Sequence, residues 1–199
     1  MEMKGEQLVP ASQQETWNAL NDPEMLKACV PGCESITPAG DNAYEVLMVA
    51  RVGPVSAKFK GRLTLSDITP PQSYSITFEG QGGAAGFAKG GARVSLVAEN
   101  DQTKLLYDVK ANVGGKLAQI GSRLVDAAAR KVADDFFRNF NGRMAARHEE
   151  KTPDAGHEEH LAAPVPRDPD LPTISNVTLG FFAAGSLLVF VVALLTLLH

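Results

Sequence analysis

The side chains that most often carry acid–base or metal chemistry are sparse in the greater part of this chain. All four histidines, His148, His157, His160 and His199, lie at or beyond residue 148. Residues 1–147 therefore contain no imidazole base, and neither a Ser-His-Asp triad nor a Cys-His pair can form there. The remaining candidates for acid–base work are Asp67 and Tyr107, which are better interpreted as a turn residue and a core aromatic. We expect a binding protein without catalytic residues, and not an enzyme.

Two cysteines, Cys29 and Cys33, flank a Pro-Gly turn. A metal site would need two more ligands, and residues 1–147 have no histidine to supply them, so we predict no bound metal. A disulfide between the two is geometrically possible but disfavoured in a reducing cytoplasm. We interpret them as half-buried thiols at a helix-to-strand turn and keep a redox switch as the alternative.

A glycine-rich stretch covers residues 80–86. It resembles part of a dinucleotide-binding fingerprint, but that motif requires a helix to begin at the loop, and strand-like alternation follows here. We therefore predict a flexible hairpin rather than a nucleotide site. Phe87 and Lys89 lie next to it, and we expect them to gate the mouth of a cavity or to contact a partner.

Two short helices and a series of strands must position these residues. Ser12 and Glu15 have the spacing of a capping box, and Asp22-Pro23 begins a second helix. Alternation with period two predicts strands near residues 1–9, 34–37, 44–52, 55–66, 74–79, 92–98 and 105–113. Seven short strands joined by tight turns indicate an antiparallel sheet.

A long amphipathic helix is predicted over residues 116–147, which contain no proline. Its apolar stripe consists of Leu117, Ile120, Leu124, Ala128, Val132, Phe136 and Phe140. The available partner for that stripe is the concave face of a curved sheet, which gives an α+β fold wrapped around the helix. The space between helix and sheet need not fill, so we predict an apolar cavity for a lipophilic ligand. Its predicted lining is Phe59, Leu63, Phe78, Tyr107, Val109, Leu124 and Phe136, for which simple core packing is the alternative.

Charge divides the chain into two unlike parts. Residues 1–147 carry 17 Lys and Arg against 16 Asp and Glu, whereas residues 148–199 carry two against seven. The first part has no basic stripe that could neutralise phosphates, so we expect no nucleic-acid partner. Prolines and acids dominate residues 148–175, a composition that cannot bury enough apolar surface to fold. We predict a folded domain over residues 1–147 and a disordered linker over residues 148–175.

An uncharged, strongly apolar run extends from Val177 to Leu198. A helix of that length measures about 33 Å, which is enough to cross a hydrocarbon core of about 30 Å. We therefore predict a transmembrane helix over residues 176–198. Because no signal peptide precedes the domain, we expect a tail-anchored, single-pass protein of the cytoplasmic membrane with its domain facing the cytoplasm.

Several motifs, in order, resemble a known family. They are residues 28–33 (ACVPGC), 57–61 (AKFKG), 67–74 (DITPPQSY), 86–90 (GFAKG) and 113–121 (VGGKLAQIG). Over about residues 1–145 the chain resembles the carbon monoxide dehydrogenase G-subunit family, within the START-like, or Bet v 1-like, helix-grip superfamily. The acidic linker and apolar run are similar to those of longer members of that family.

The resemblance implies an accessory role. Members of the family are thought to bring a molybdenum-containing CO dehydrogenase to the cytoplasmic membrane, where electrons pass to the quinone pool. It therefore implies three partners, namely the membrane, that oxidoreductase or a related hydroxylase, and a lipophilic small molecule such as a quinone. No covalently bound cofactor is expected, and the family has no agreed catalytic residues to transfer. The alternative is a tethered carrier of hydrophobic ligands unrelated to CO oxidation.

Overall fold

A computed structural model describes residues 1–52 and 55–151. In chain order the elements are β1 (Glu2–Val9), α1 (Gln13–Leu20), α2 (Pro23–Cys29), β2 (Cys33–Pro38), β3 (Ala43–Val52), β4 (Val55–Thr69), β5 (Ser73–Gln81), a 3-10 turn (Gly83–Ala85), β6 (Phe87–Glu99), β7 (Gln102–Gly114), α3 (Lys116–Gln119) and α4 (Ser122–Lys151). The predicted linker beyond residue 151 and the predicted membrane span lie outside the described residues.

All seven strands form one curved antiparallel sheet in the order β1-β7-β6-β5-β4-β3-β2. From β2 to β7, each strand pairs with the next one along the chain, and β1 pairs with β7. The predicted α+β class, the sheet and the two short helices are confirmed. Within the described ranges, no helix has both the length and the hydropathy needed to cross a bilayer.

The two short helices begin at the residues that the sequence indicates. The Ser12 hydroxyl accepts a hydrogen bond from the Glu15 backbone N–H, and the Glu15 carboxylate accepts one from the Ser12 N–H, so the capping box is complete. The Asp22 carboxylate accepts from the N–H groups of Glu24 and Met25 at 3.0 and 3.2 Å. Its second oxygen lies 3.6 Å from an Arg147 guanidinium nitrogen, so Asp22 also links α2 to the later turns of α4.

The apolar face of α4 packs on the inner face of the sheet and completes one continuous core. The helix is held laterally by two amides: Asn139 donates to the Cys29 carbonyl and Asn141 to the Leu8 carbonyl, both at 3.0 Å. These bonds connect α4 to the end of α2 and to the edge strand β1, which fixes its direction across the sheet.

The long helix does not run unbroken from Lys116, as its apolar spacing predicted. Gly121 has a φ of +97°, a left-handed conformation that separates α3 from α4. Helix α4 therefore starts anew at Ser122, and near its start Val125 is buried while Leu124 is 58% exposed. The rest of the predicted stripe, Ala128, Val132, Phe136 and Phe140, is buried. The prediction that Leu124 lines the interior is therefore wrong, because that prediction assumed one uninterrupted helical period.

Aromatic rings of the sheet lie over glycines of neighbouring strands or loops. A Cβ atom added at Gly5, Gly82, Gly90 or Gly114 would collide with the ring of Tyr107, Phe59, Phe78 or Phe87 respectively. Glycine therefore provides the space into which each ring fits, an arrangement in which a neighbouring aromatic covers backbone that lacks a side chain. The sheet can consequently hold large rings without losing close packing.

Adjacent glycines of β6 offer a matched test of this packing. A Cβ on Gly90 would lie 2.7 Å from the Phe78 ring and closer still to the Lys110 carbonyl oxygen, whereas one on Gly91 meets only the Ile76 carbonyl oxygen, at 3.1 Å. We expect Gly90→Ala to lower the free energy of unfolding by about 1–3 kcal/mol, the usual cost of overpacking. Gly91→Ala should change it by less than about 1 kcal/mol. Denaturant unfolding followed by the fluorescence of Trp17 measures both, and equal effects at the two positions would contradict the account.

Candidate functional site

The inner face of the sheet brings together most of the residues predicted to line a cavity. Phe59, Leu63, Phe78, Val109 and Phe136 are buried within one continuous core, and Tyr107 packs at its margin. Leu63 lies opposite Phe78 in neighbouring strands, so these two share a row of the inner face. The burial is that of a core, and the role of these side chains as a ligand lining stays a prediction.

Helix α4 presents two different surfaces to the sheet along its length. Its first half buries small side chains, namely Val125, Ala128, Ala129, Val132 and Ala133. Its second half buries Phe136, Phe137, Phe140 and Met144. The rings of Phe136 and Phe140 stack with centroids 5.5 Å apart, and Phe137 meets Phe136 edge-on. The interior is thus filled by aromatics in the half of α4 that lies near α2, and small residues bound it along the first half of the helix.

Tyr107 lies where α4 meets the edge of the sheet. Its ring stacks on Phe137 with centroids 5.6 Å apart and extends over Gly5 of β1. Burial, followed by the nearby Asp134 carboxylate, raises the pKa of the Tyr107 phenol, so the hydroxyl stays protonated at neutral pH and can donate a hydrogen bond. Asp67 has the features of the predicted turn residue. It is exposed, has a φ of +50° and lies within a register shift between β4 and β5.

Phe87 and Lys89 lie on the outer face of the sheet. Phe87 is 45% exposed and its ring covers Gly114, and Lys89 is exposed on the rim of a depression of about 500 Å³. Arg62, Glu79 and Asn112 share that rim, in one row across four strands. Both side chains therefore point away from the interior. Of the two predicted roles, this position favours contact with a partner over gating of the cavity mouth.

The two cysteines are free thiols at the end of α2 and the start of β2. Burial raises the pKa of both Cys29 and Cys33 to about 11. Cys29 is fully buried and contacts the Met25 sulfur at 3.8 Å. Because the thiolate is the reactive form, both groups are poor nucleophiles at neutral pH, which favours the structural interpretation over a redox switch. Among the described residues, no cluster of His, Cys, Asp and Glu could hold a metal ion.

A feature that sequence reasoning missed is a group of aliphatic side chains on the outer face. Leu8, Val97 and Leu106 lie on the outer face, on which polar side chains predominate. The sequence did contain a signal for these residues. Each follows or precedes a core residue of its own strand directly, so apolar residues occur in pairs and interrupt the alternation. The pairs are Leu8-Val9, Leu96-Val97 and Leu105-Leu106.

These features define a class of protein: a helix-grip domain, in which a curved antiparallel sheet encloses a C-terminal helix. Solved structures share this fold. A conserved protein from Geobacillus kaustophilus is 29% identical, with a TM-score of 0.70 over 73% of this chain and 96% of that one. A START superfamily protein from Mycobacterium smegmatis is 15% identical, with a TM-score of 0.59 over 73% and 98% of the two chains. A protein from Thermus thermophilus is 15% identical, with a TM-score of 0.57 over 74% and 99%.

The particular family follows from the sequence of the domain. The model of the CoxG family, named for the G subunit of carbon monoxide dehydrogenase, matches residues 5–145, so this chain belongs to that family. No curated protein gives a significant match to the chain. The predicted resemblance is thereby confirmed for the domain, and the match ends before the predicted linker.

Two substitutions test which side chains of α4 are buried. Phe136→Ala should lower the free energy of unfolding by about 3–5 kcal/mol, because it removes a fully buried ring that stacks on Phe140. Leu124→Ala should change it by less than about 0.5 kcal/mol, because that side chain faces solvent. Thermal or denaturant unfolding of both variants measures these changes. A large loss of stability in Leu124→Ala would contradict its exposed position and support an uninterrupted helix.

The buried thiols give a prediction about reactivity. We expect a thiol reagent at pH 7.5 to label Cys29 and Cys33 slowly in the native protein and fast after denaturation, because folding raises both pKa values to about 11. Labelling of the native protein should accelerate as the pH rises towards 11. Single Cys29→Ser and Cys33→Ser variants separate the two sites. Fast native labelling at pH 7.5 would instead indicate an activated thiolate.

Proposed function

We propose that this protein is a membrane-anchored accessory protein that recruits a molybdenum-containing CO dehydrogenase-type oxidoreductase to the cytoplasmic membrane. The observation that carries the proposal is membership of the CoxG family over residues 5–145. The uncharged run from Val177 to Leu198 supports the membrane anchor, since its length and composition suit a bilayer-spanning helix. The proposed anchor follows an acidic, proline-rich linker that would leave the domain free to reach a partner near the membrane.

The composition of the domain supports binding rather than catalysis. Residues 1–147 have no histidine, and the aromatic candidate for acid–base work, Tyr107, has its pKa raised by burial. A phenol of raised pKa cannot serve as a base at neutral pH. The proposal therefore gives the domain no reaction of its own, and the chemistry belongs to the oxidoreductase.

A lipophilic ligand is the second part of the proposal, and the shape of α4 supports it. Its first half buries small side chains, so there is less side-chain volume between this half and the inner face than beside the aromatic half. The facing sheet supplies large apolar groups, including Phe59 and Phe78. Such a site would suit an apolar ring system such as a quinone.

The recruitment is tested by removing the proposed anchor. We expect deletion of residues 173–199 to move both this protein and the CO dehydrogenase from the membrane fraction to the soluble fraction of the source cells. Activity of the dehydrogenase with an artificial electron acceptor should not change, because the deletion touches no part of that enzyme. The readout is immunoblotting of fractionated cells.

A matched control replaces residues 173–199 with an unrelated single-span anchor, which should return both proteins to the membrane. If the dehydrogenase stays equally membrane-bound after the deletion, recruitment by this protein is wrong. If this protein itself stays at the membrane, the anchor is wrong.

A further inference from the structure

The turn between β5 and β6 meets the connection between β7 and α4 at one end of the domain. A Cβ atom added at Gly115 would lie 2.5 Å from the Cα of Gly86, so the two backbones are in direct contact. The short helix α3 follows Gly115 and contacts the 83–85 turn, and α4 begins at Ser122. We call this surface the glycine-rich end and define it as residues 82–87 and 114–124.

Two large apolar side chains of the glycine-rich end face solvent. Phe87 is 45% exposed at the start of β6, on the outer face of the sheet. Leu124 is 58% exposed in the first turn of α4, on the other side of the same end. The two side chains therefore flank the glycine-rich end, and contact with an apolar phase would remove both from water.

The charges of the glycine-rich end are all positive. Residues 80–98 and 109–125 contain no Asp or Glu. Lys116 and Arg123 are exposed, and neither forms a salt bridge with another of the described residues. Lys89, just outside this end, differs because Glu79 stands opposite it on β5. Two cations thus accompany the exposed ring and the exposed leucine.

The other pair of large exposed apolar side chains has different surroundings. Leu8 and Val97 lie on either side of Lys104 in one row of the outer face. Lys104 forms a salt bridge of 2.7 Å with Glu99 and lies near Glu6. Charges of both signs therefore border that pair, whereas the glycine-rich end combines apolar groups with cations alone. Exposed Phe and Leu together with Lys and Arg are typical of surfaces that bind at a lipid interface.

We infer that the glycine-rich end docks on the surface of an anionic phospholipid bilayer. Phe87 and Leu124 enter the interface, and Lys116 and Arg123 face the lipid phosphates. The apolar groups gain by leaving water, and each cation near an anionic bilayer adds an attraction. The inference rests on the proposed function, which puts the domain beside the membrane, and adds the orientation of the domain there. Docking in this way turns the later half of α4 away from the lipid.

Two observations favour lipid over a protein as the occupant. A second copy related by a two-fold axis would place the cations of one chain against the same cations of the other, with no carboxylate of this end to pair with them. The uncharged run from Val177 to Leu198 would hold the domain at a bilayer, so the lipid surface is present at a high effective concentration. The oxidoreductase, in contrast, has to be encountered from solution.

The chain between the domain and the proposed anchor is long enough for this orientation. Helix α4 leads away from the glycine-rich end for 30 residues, which is about 45 Å. A fully extended chain as long as residues 152–176 would span about 80 Å. The anchor can therefore lie in the same bilayer that the start of α4 contacts.

Fluorescence quenching by nitroxide-labelled lipid tests the inference. The full-length protein is inserted into vesicles of phosphatidylcholine and phosphatidylglycerol. A fluorophore attached through Ala118→Cys reports on the glycine-rich end, and one attached through Gln102→Cys reports on the opposite end of β7; both positions are exposed. A short reaction at neutral pH labels these positions ahead of the buried Cys29 and Cys33.

We expect the label at position 118 to be quenched at least about threefold more strongly than the label at position 102. High salt, and vesicles of phosphatidylcholine alone, should each lower this quenching, because screening or loss of lipid charge removes the attraction. Fluorescence of Trp17 verifies that every variant is folded.

The apolar contribution is tested by one pair of substitutions with a matched control. Phe87→Ser/Leu124→Ser should lower the quenching at position 118 at least about threefold, because the side chains that enter the interface are lost. Leu8→Ser/Val97→Ser removes two similarly exposed apolar residues away from this end and should leave the quenching unchanged.

The charged contribution is tested in the same way. Lys116→Gln/Arg123→Gln should reduce the docked population about tenfold or more, because each cation strengthens binding to an anionic surface severalfold. Lys27→Gln/Arg143→Gln makes the same change of net charge on α2 and the later half of α4, and should leave the docked population unchanged.

Each outcome bears on one claim. If the protein does not float with the vesicles, the anchor is wrong and docking fails with it. If it floats but both labels are quenched equally, or if the variants of the glycine-rich end behave as the wild type does, the docking surface is wrong and the recruitment stands. Equal quenching in phosphatidylcholine alone would show no selection of anionic lipid and would overturn the inference. If those variants keep the quenching but lose the dehydrogenase from the membrane fraction, the glycine-rich end serves the oxidoreductase, which also overturns it.

Discussion

The packing of α4 against the inner face of the sheet is the interaction on which the rest of the molecule depends. The curved sheet has one apolar face, and without the helix its largest rings would be exposed to water. The amides of Asn139 and Asn141 set the direction of the helix by binding backbone carbonyls of α2 and β1. The change from small to aromatic side chains along α4 then determines where the interior is filled and where space for a ligand is expected.

The same arrangement separates two surfaces that the proposed recruitment would require. The inner face is enclosed and apolar, and the outer face remains free for contacts with macromolecules. Glycines permit this separation: Gly5 and Gly90 leave room for the rings of Tyr107 and Phe78 on the inner side. Large apolar groups can therefore stay inside while polar residues predominate on the outer face.

The fold could be predicted from the sequence because its local signals agree with one another. The capping box at Ser12, the Asp22-Pro23 helix start and the alternation along the strands each depend on neighbouring residues alone, and all were confirmed. The start of α4 could not be predicted in the same way. A single left-handed residue, Gly121, ends α3 and separates it from α4, and the apolar spacing alone did not reveal that break. Leu124 was consequently misplaced.

The candidate site was predictable only in part, for a physical reason. Alternation identifies which residues face inward, as for Phe59 and Leu63, but it does not say whether the space between them is filled. The outward positions of Phe87 and Lys89 depend on the register of β6 with β7. Leu8 and Leu106 are distant in sequence, and only the pairing of β1 with β7 places them in neighbouring rows of the outer face.

We propose that the interior of this domain holds a lipophilic molecule between α4 and the sheet. Native mass spectrometry of the full-length protein, purified from membranes in mild detergent, tests it most directly. The account predicts about one lipophilic molecule per chain, lost in Ala129→Phe, which places a ring in the small-residue half of the interface. Ala127→Phe, on the exposed side of the same helix, should retain the ligand. A folded wild-type protein that carries no such molecule would contradict the account.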